Sequence, residues 1–120
     1  MVQIQFIKGL NETTIPEIRL TRSSSGDTGT ATFHFHKPDL FKINWKKNFE
    51  ITGMYIFNKN RIMKTRYIKI YFKNGKPEVL EAIYILRNVT EWNTLIKLLN
   101  QFSEQNNLTF IKANKQYLKN

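Results

Sequence analysis

An Asn-Gly pair at positions 74 and 75 lies between two long segments in which apolar and polar residues alternate. Both residues accept the positive φ angles of a type I′ turn, which joins two antiparallel strands through a two-residue loop. The pair therefore predicts a hairpin of strands over residues 62–73 and 78–87 in a defined register. The expected cross-strand pairs are Lys73 with Lys76, Ile70 with Val79, Ile68 with Glu81, and Met63 with Leu86.

The segments before this hairpin alternate in the same way. They predict strands over residues 2–8, 15–21, 30–36 and 49–57. Side chains two apart share one face of a strand, so Ala31, Phe33 and Phe35 are expected to face the core. A helical turn is predicted over residues 38–41, with Asp39 in its first turn. Together these segments predict an antiparallel meander.

The apolar period changes from two to 3.6 near residue 90. The residues Trp92, Leu95, Ile96, Leu99 and Phe102 recur at the spacing of one helix face. The sequence predicts a helix over about residues 90–105 with Thr90 as its N-cap, ended by Asn106 and Asn107, and then a short strand over residues 108–112. The predicted fold is α+β, with an antiparallel sheet meander and one main C-terminal helix packed on a face. Residues 1–112 are expected to form one domain, and residues 113–120 a basic flexible tail.

Composition limits the classes of protein that fit. The chain has 120 residues, of which 41% are hydrophobic and 13% aromatic, enough to fill the core of one folded domain. It has no cysteine, which excludes a disulfide and a cysteine nucleophile. No segment approaches the ~18 apolar residues of a membrane span, and the first residues resemble neither a signal peptide nor a transit peptide.

The net charge of +10 is concentrated in one third of the chain. Residues 37–76 contain eleven basic and two acidic residues, a net charge of +9, whereas residues 1–36 are neutral overall. Such a segment attracts an acidic partner, nucleic acid or an anionic membrane surface. Lys64, Arg66 and Lys69 alternate with Tyr67 and Tyr71 in a pattern that fits nucleic acid, although a solvated strand face has the same pattern.

No residue pattern predicts an enzyme. His34 and His36 lie on one face of a strand, but only Asp27 and Asp39 in nearby loops could complete a metal site, so exposed histidines explain them better. Nucleophile-elbow, Ser-x-x-Lys and phosphate-loop patterns are absent from the sequence. We therefore expect no catalytic residues, no metal and no cofactor.

Several strings of the sequence, read in order, resemble a known family. The most specific are IPEIRLTRS at 15–23 and EITGMY at 50–55, and the others are IQF at 4–6, GTATF at 29–33, NGKPE at 74–78, EW at 91–92 and LTF at 108–110. This pattern is similar to the Psb28 family, small soluble photosystem II proteins of cyanobacteria and plastids. The resemblance extends from about residue 2 to residue 112.

The resemblance implies a non-catalytic assembly factor without cofactors. Members of that family bind transiently to photosystem II intermediates on the stromal side of the thylakoid membrane, or its cytoplasmic side in cyanobacteria. The implied partners are photosystem II core proteins, namely the larger inner-antenna chlorophyll protein and reaction-centre loops. The protein is expected to be peripheral to the membrane and a monomer when free, without bound nucleic acid.

The candidate partner-binding residues are Arg19, Arg22, Lys64 and Arg66. The strings that resemble the family place Arg19, Arg22 and Arg66 on strands that need only neutral outward residues. A sheet can also bind by adding a strand from its partner. A basic nucleic-acid-binding module remains the alternative function.

Overall fold

The computed structural model describes residues 1–43, 51–107, 109–111 and 115–119. Within these ranges one long helix, α1 (Val89–Gln105), follows most of the strands, and a 3₁₀ helix covers Asp39–Lys42. The strands are β1 (Gln3–Ile7), β2 (Leu10–Asn11), β3 (Glu17–Arg22), β4 (Gly29–His36), β5 (Met54–Phe57), β6 (Ile62–Thr65), β7 (Tyr67–Lys73), β8 (Lys76–Leu86), β9 (Thr109–Ile111) and β10 (Lys115–Lys119).

The described strands form two antiparallel sheets rather than one. The smaller sheet has the order β2-β1-β5-β6, and the larger has the order β7-β8-β4-β3-β10-β9. The α+β class with one main C-terminal helix is thus confirmed, as is the antiparallel pairing. The predicted strand over residues 49–57 is seen only as Met54–Phe57, and its first two positions lie outside the described residues.

The predicted single strand over residues 62–73 is wrong. The chain leaves the smaller sheet after Thr65 and enters the larger one at Tyr67, with Arg66 between β6 and β7. The buried Thr65 hydroxyl donates to the carbonyl of Ile83 at 2.5 Å and accepts from the Tyr67 N–H at 3.2 Å. These bonds hold the crossing against β8, so Met63 pairs with Ile56 and not with Leu86.

The turn that joins β7 and β8 is confirmed. Asn74 and Gly75 have φ angles of 53° and 79°, and Lys73 pairs with Lys76. The predicted register fails further from the turn, because an irregularity between Tyr71 and Phe72 shifts the pairing by one residue. The observed pairs are Ile70 with Leu80 and Ile68 with Ala82.

Helix α1 begins one residue earlier than predicted, with a different cap. Asn88, not Thr90, is the N-cap residue, and its side chain accepts a hydrogen bond from the Glu91 N–H at 2.8 Å. Near the other end of the helix, the Gln105 side chain bonds to the backbone of Val2 at 2.8 and 2.7 Å. Gln101 accepts from Asn58 at 2.9 Å. Val2 precedes β1 and Asn58 follows β5, and Gln3 pairs with Phe57, so these bonds tie the helix to one end of the smaller sheet.

The core lies between the two sheets and the helix. The predicted core residues Ala31, Phe33 and Phe35 are fully buried, and the apolar face of α1 is buried except for the half-buried Ile96. Phe6 of β1 meets Phe35 of β4 edge to face, with ring centroids 5.0 Å apart. This contact joins the two sheets.

The tail prediction differs from the structure over part of its length. The backbone of Lys115–Lys119 forms β10, which pairs with β3 on one side and with β9 on the other. Without β10 the backbone groups of β3 that point away from β4 would lack partners, and a strand is the usual way to satisfy them. Residues 108, 112–114 and 120 of the predicted strand and tail lie outside the described residues.

Candidate functional site

The outward face of the larger sheet is organised in rows, because strand pairing places side chains side by side. One row contains Ile85, Thr30 and Thr21. The next contains Tyr67, Ile83, Thr32 and Arg19, and the third contains Lys69, Glu81, His34 and Glu17. Neighbouring rows are about 7 Å apart, the distance between alternate residues of a strand.

Arg22 follows Thr21, the last residue of the first row, and its side chain lies on the side of the sheet that faces helix α1. Its guanidinium lies over the Trp92 ring, 4.7 Å from the centroid, and its Nε donates to the Gly26 carbonyl at 2.8 Å. Both contacts hold the β3–β4 turn against helix α1. Arg22 also lines a cavity of about 480 Å³ together with Thr30, Ile85 and Arg87.

Arg66 and Lys64 lie on the other side of Ile85. With Tyr67, Tyr84 and Arg87 they line a cavity of about 350 Å³ at the crossing from β6 to β7. Burial raises the pKa of the Tyr84 phenol to about 12, so this group stays neutral at ordinary pH. Lys64 belongs to β6 of the smaller sheet, where it pairs with Tyr55 and its Nζ lies 5.1 Å from the centroid of the Tyr55 ring.

The two cavities share Ile85 and Arg87 and form one surface. We call it the Ile85 patch. Its cations are Arg22, Lys64, Arg66 and Arg87, all exposed, and its floor is formed by Thr21, Thr30 and Ile85. Among the described residues, none of these cations forms an ion pair with a carboxylate.

Arg19 lies near the patch and not in it. It stands beside Thr32 on the outward face and lines a smaller cavity of about 190 Å³ with Glu17, His34 and Glu81. The structure thus brings together three of the four predicted partner-binding residues and places the fourth in the next row, beside carboxylates.

Sequence reasoning missed Arg87, Tyr84 and Ile85. Arg87 was the last residue of a predicted strand, and the even alternation of residues 83–87 gave no sign that its exposed end closes a cavity. What marks the cavity in the structure is an exposed isoleucine, since Ile85, the last but one residue of β8, is 38% exposed whereas the other residues of that strand after Lys76 are buried or half-buried.

The other candidate residues are spread over the surface. His34 and His36 are exposed on the outward face, and His34 Nδ1 lies 4.0 Å from Glu81 Oε2. Among the residues that the structure describes, no three His, Cys, Asp or Glu side chains could hold a metal ion. Tyr67, Lys69 and Tyr71 do share one face, but Glu81 lies opposite Lys69 and its carboxylate is 3.4 Å from the Tyr71 hydroxyl.

The fold and the patch define a class, a small α+β protein that presents a cation-lined sheet face to its surroundings. Within the described residues, the helix is neither long enough nor apolar enough to cross a membrane.

Comparison with known proteins gives the family. The model of the Psb28 protein family matches residues 4–110. A relative from the diatom Phaeodactylum tricornutum is 45% identical over 111 residues, which are 92% of this chain and 96% of the relative. Relatives from Cyanidium caldarium and Nostoc punctiforme are 45% and 44% identical over 115 residues, covering 94% and 96% of this chain and 100% of each relative. All three are called photosystem II reaction center Psb28 protein. This chain belongs to the Psb28 family.

Proposed function

We propose that this protein is a non-catalytic photosystem II assembly factor that binds transiently to intermediates of that complex. Support comes from its membership of a family whose relatives are named as photosystem II reaction center proteins. The observation that carries the proposal is the Ile85 patch, where Arg22, Lys64 and Arg66 surround an exposed apolar side chain. Such a surface suits contact with another protein, because arginine and aliphatic side chains together give both specificity and apolar contact area.

The proposed partners are photosystem II core proteins, the larger inner-antenna chlorophyll protein and reaction-centre loops, on the stromal side of the thylakoid membrane in a plastid. In a cyanobacterium the corresponding side is cytoplasmic. Arg19, Arg22, Lys64 and Arg66 are the proposed polar contacts. Strand addition offers a second means of attachment, because β7 is an edge strand of the larger sheet and carries the exposed side chains of Tyr67 and Tyr71.

The nucleic-acid alternative has less support from the geometry. Bases would stack on Tyr67 and Tyr71, with phosphates near Lys69. Glu81 and Glu17 lie in the row between those tyrosines, and their charges would repel a phosphate backbone.

Two measurements on thylakoids test the proposal. The tagged protein should co-migrate with chlorophyll-containing photosystem II complexes in native gels, and this should be lost when core proteins of the photosystem are absent. A fourfold variant, with Arg19, Arg22, Lys64 and Arg66 each changed to Gln, should co-migrate several-fold less. The control is the double variant Lys73→Gln and Lys76→Gln, which removes two charges at the hairpin end and should behave like the wild type.

Washing distinguishes protein contact from lipid contact. Charge attraction between exposed groups is screened within ~8 Å at physiological ionic strength, so added salt weakens this part of the binding. Apolar and strand-addition contacts resist salt, and moderate salt should therefore release only part of the protein. Alkaline or chaotropic washing should release all of it. Equal binding to protein-free anionic liposomes and to thylakoids would contradict the proposal.

A further inference from the structure

The outward face of the larger sheet separates its charges by row. The two rows at the Ile85 end, with the residues that flank them, carry the cations Arg19, Arg22, Arg66 and Arg87. The third row contains two carboxylates, those of Glu17 and Glu81, and one lysine, Lys69. Glu91 stands beside the patch, where its Oε1 accepts a hydrogen bond from the Arg87 N–H at 2.8 Å. The Ile85 patch is therefore open to an anion, whereas the third row, with two carboxylates and Lys69, is less favourable to one.

The floor of the patch is apolar or hydroxylic. Ile85 is 38% exposed and lies between Thr30 of β4 and the crossing at Arg66, while Tyr67 and Ile83 continue the apolar surface in the next row. Thr21, Thr30 and Ile85 lie on three adjacent strands, so β3 and β8 are two strand spacings, about 10 Å, apart, which is room for one extended chain over Thr30. A bound chain could place one apolar side chain on Ile85 and carboxylates near the arginines on either side.

We propose that the Ile85 patch binds an extended acidic segment of a partner protein, in which carboxylates flank a large apolar side chain. This inference rests on the proposed function and specifies the chemistry of the partner segment. Arg66 and Arg87 contact the carboxylates through paired N–H groups, which fit a carboxylate better than a lysine ammonium does. Glu17 and Glu81 repel a segment that is displaced onto the third row and so limit where it binds.

The same geometry favours a peptide over a lipid surface. A protein that binds a flat anionic membrane usually presents mobile cations over a broad face. Here Arg22 is fixed in place, because its guanidinium stacks on Trp92 and its Nε donates to the Gly26 carbonyl. The cations surround a single exposed isoleucine, and a buried apolar anchor with polar surroundings is typical of protein contacts.

The test uses the full chain and synthetic peptides. The probe is a short peptide with glutamates on both sides of a central phenylalanine, compared with one in which every glutamate is glutamine and one in which the phenylalanine is alanine. In an NMR titration of labelled protein, the amide signals of Thr30, Ile85 and Arg87 should shift with the first peptide. The signals of His34 and Glu81 in the third row should shift much less.

Variants show whether the arginines make the contact. The double variant Arg66→Gln and Arg87→Gln should weaken binding of the acidic peptide by about fivefold to tenfold, the effect of losing two exposed charge pairs. The matched control, Lys73→Gln with Lys76→Gln, removes the same charge elsewhere and should change binding less than twofold. The double variant Arg66→Glu and Arg87→Glu should instead prefer a peptide with lysines in place of the glutamates.

Three results would overturn the proposal. The first is that the glutamine peptide binds as tightly as the acidic peptide. The second is that the control variant loses as much peptide affinity as the Arg66 and Arg87 variant. The third is that the patch binds anionic vesicles or single-stranded RNA more tightly than the acidic peptide.

Native gels separate this proposal from the proposed function. If the Arg66 and Arg87 variant still co-migrates with photosystem II while its peptide binding is lost, the patch is not the docking site but the assembly role stands. If the wild type does not co-migrate, the assembly role fails whatever the peptide does.

Discussion

Gly29 lies where strand β4 begins, and the structure leaves no room there for a side chain. A Cβ atom at this position would lie 2.4 Å from the Thr21 carbonyl oxygen and 2.8 Å from Cζ3 of Trp92. The carbonyl belongs to the neighbouring strand, which pairs with β4 through Arg22 and Gly29, so it cannot move without disturbing the ladder. Gly29→Ala should therefore lower the free energy of unfolding by about 3 kcal/mol, the upper part of the range for overpacked sites.

The assay is urea and thermal unfolding followed by circular dichroism. A loss of about 3 kcal/mol corresponds to a melting temperature lower by roughly 10 °C in a chain of this size. The control is Gly75→Ala, where a Cβ meets nothing within 4 Å and only the φ of +79° is unfavourable, at about 1 kcal/mol. If Gly29→Ala loses no more stability than Gly75→Ala, the inference that β3, β4 and Trp92 pack too closely around Gly29 to admit a side chain is refuted.

Three further predictions concern the fold. Asn88→Ala should cost about 1 kcal/mol through loss of the N-cap bond, whereas Thr90→Ala should cost almost nothing, and equal losses in urea unfolding would refute the cap assignment. Gly75→Val should cost about 1 kcal/mol or more because of its positive φ, and an unchanged melting temperature would show that the turn is not of the primed type. The pKa of Tyr84 is about 12 in the folded chain against about 10 in the unfolded chain, so the stability it contributes below about pH 10 is lost as the pH rises towards 12. Between about pH 9 and pH 11, Tyr84→Phe should therefore lose less stability than the wild type in urea unfolding, and equal losses would contradict the assignment.

The sequence predicted local structure well wherever one short-range rule decides it. The Asn74-Gly75 turn, the core face of β4 and the apolar face of α1 all follow from φ preference or side-chain period. The division into two sheets is not local, because it depends on which strands pair at long range. A trace of it is nevertheless present. In β6 the buried Met63 and Thr65 occupy odd positions, while the half-buried Ile68 and Ile70 of β7 occupy even ones, and this change of phase marks the crossing.

The patch was predictable only in part for the same reason. The sequence suggested Arg22, Lys64 and Arg66 as contacts, but it gave no means of placing residues from β3, β6 and β8 around one point. Arg22 also illustrates a role that charge patterns do not reveal, since its stacking on Trp92 supports the fold as well as the surface.

The crossing at Arg66 has a consequence for how the protein can change over evolutionary time. Because β6 passes into β7 through a single residue, and Thr65 is bonded to Ile83, the corner between the sheets is fixed by backbone and hydroxyl bonds. We expect substitutions among the apolar residues of the interior to alter overall stability while leaving the separation of Lys64, Arg66 and Arg87 almost unchanged. Lineages can then exchange core residues freely while keeping the same binding surface, and change at Thr65 should be tolerated far less than change at its apolar neighbours.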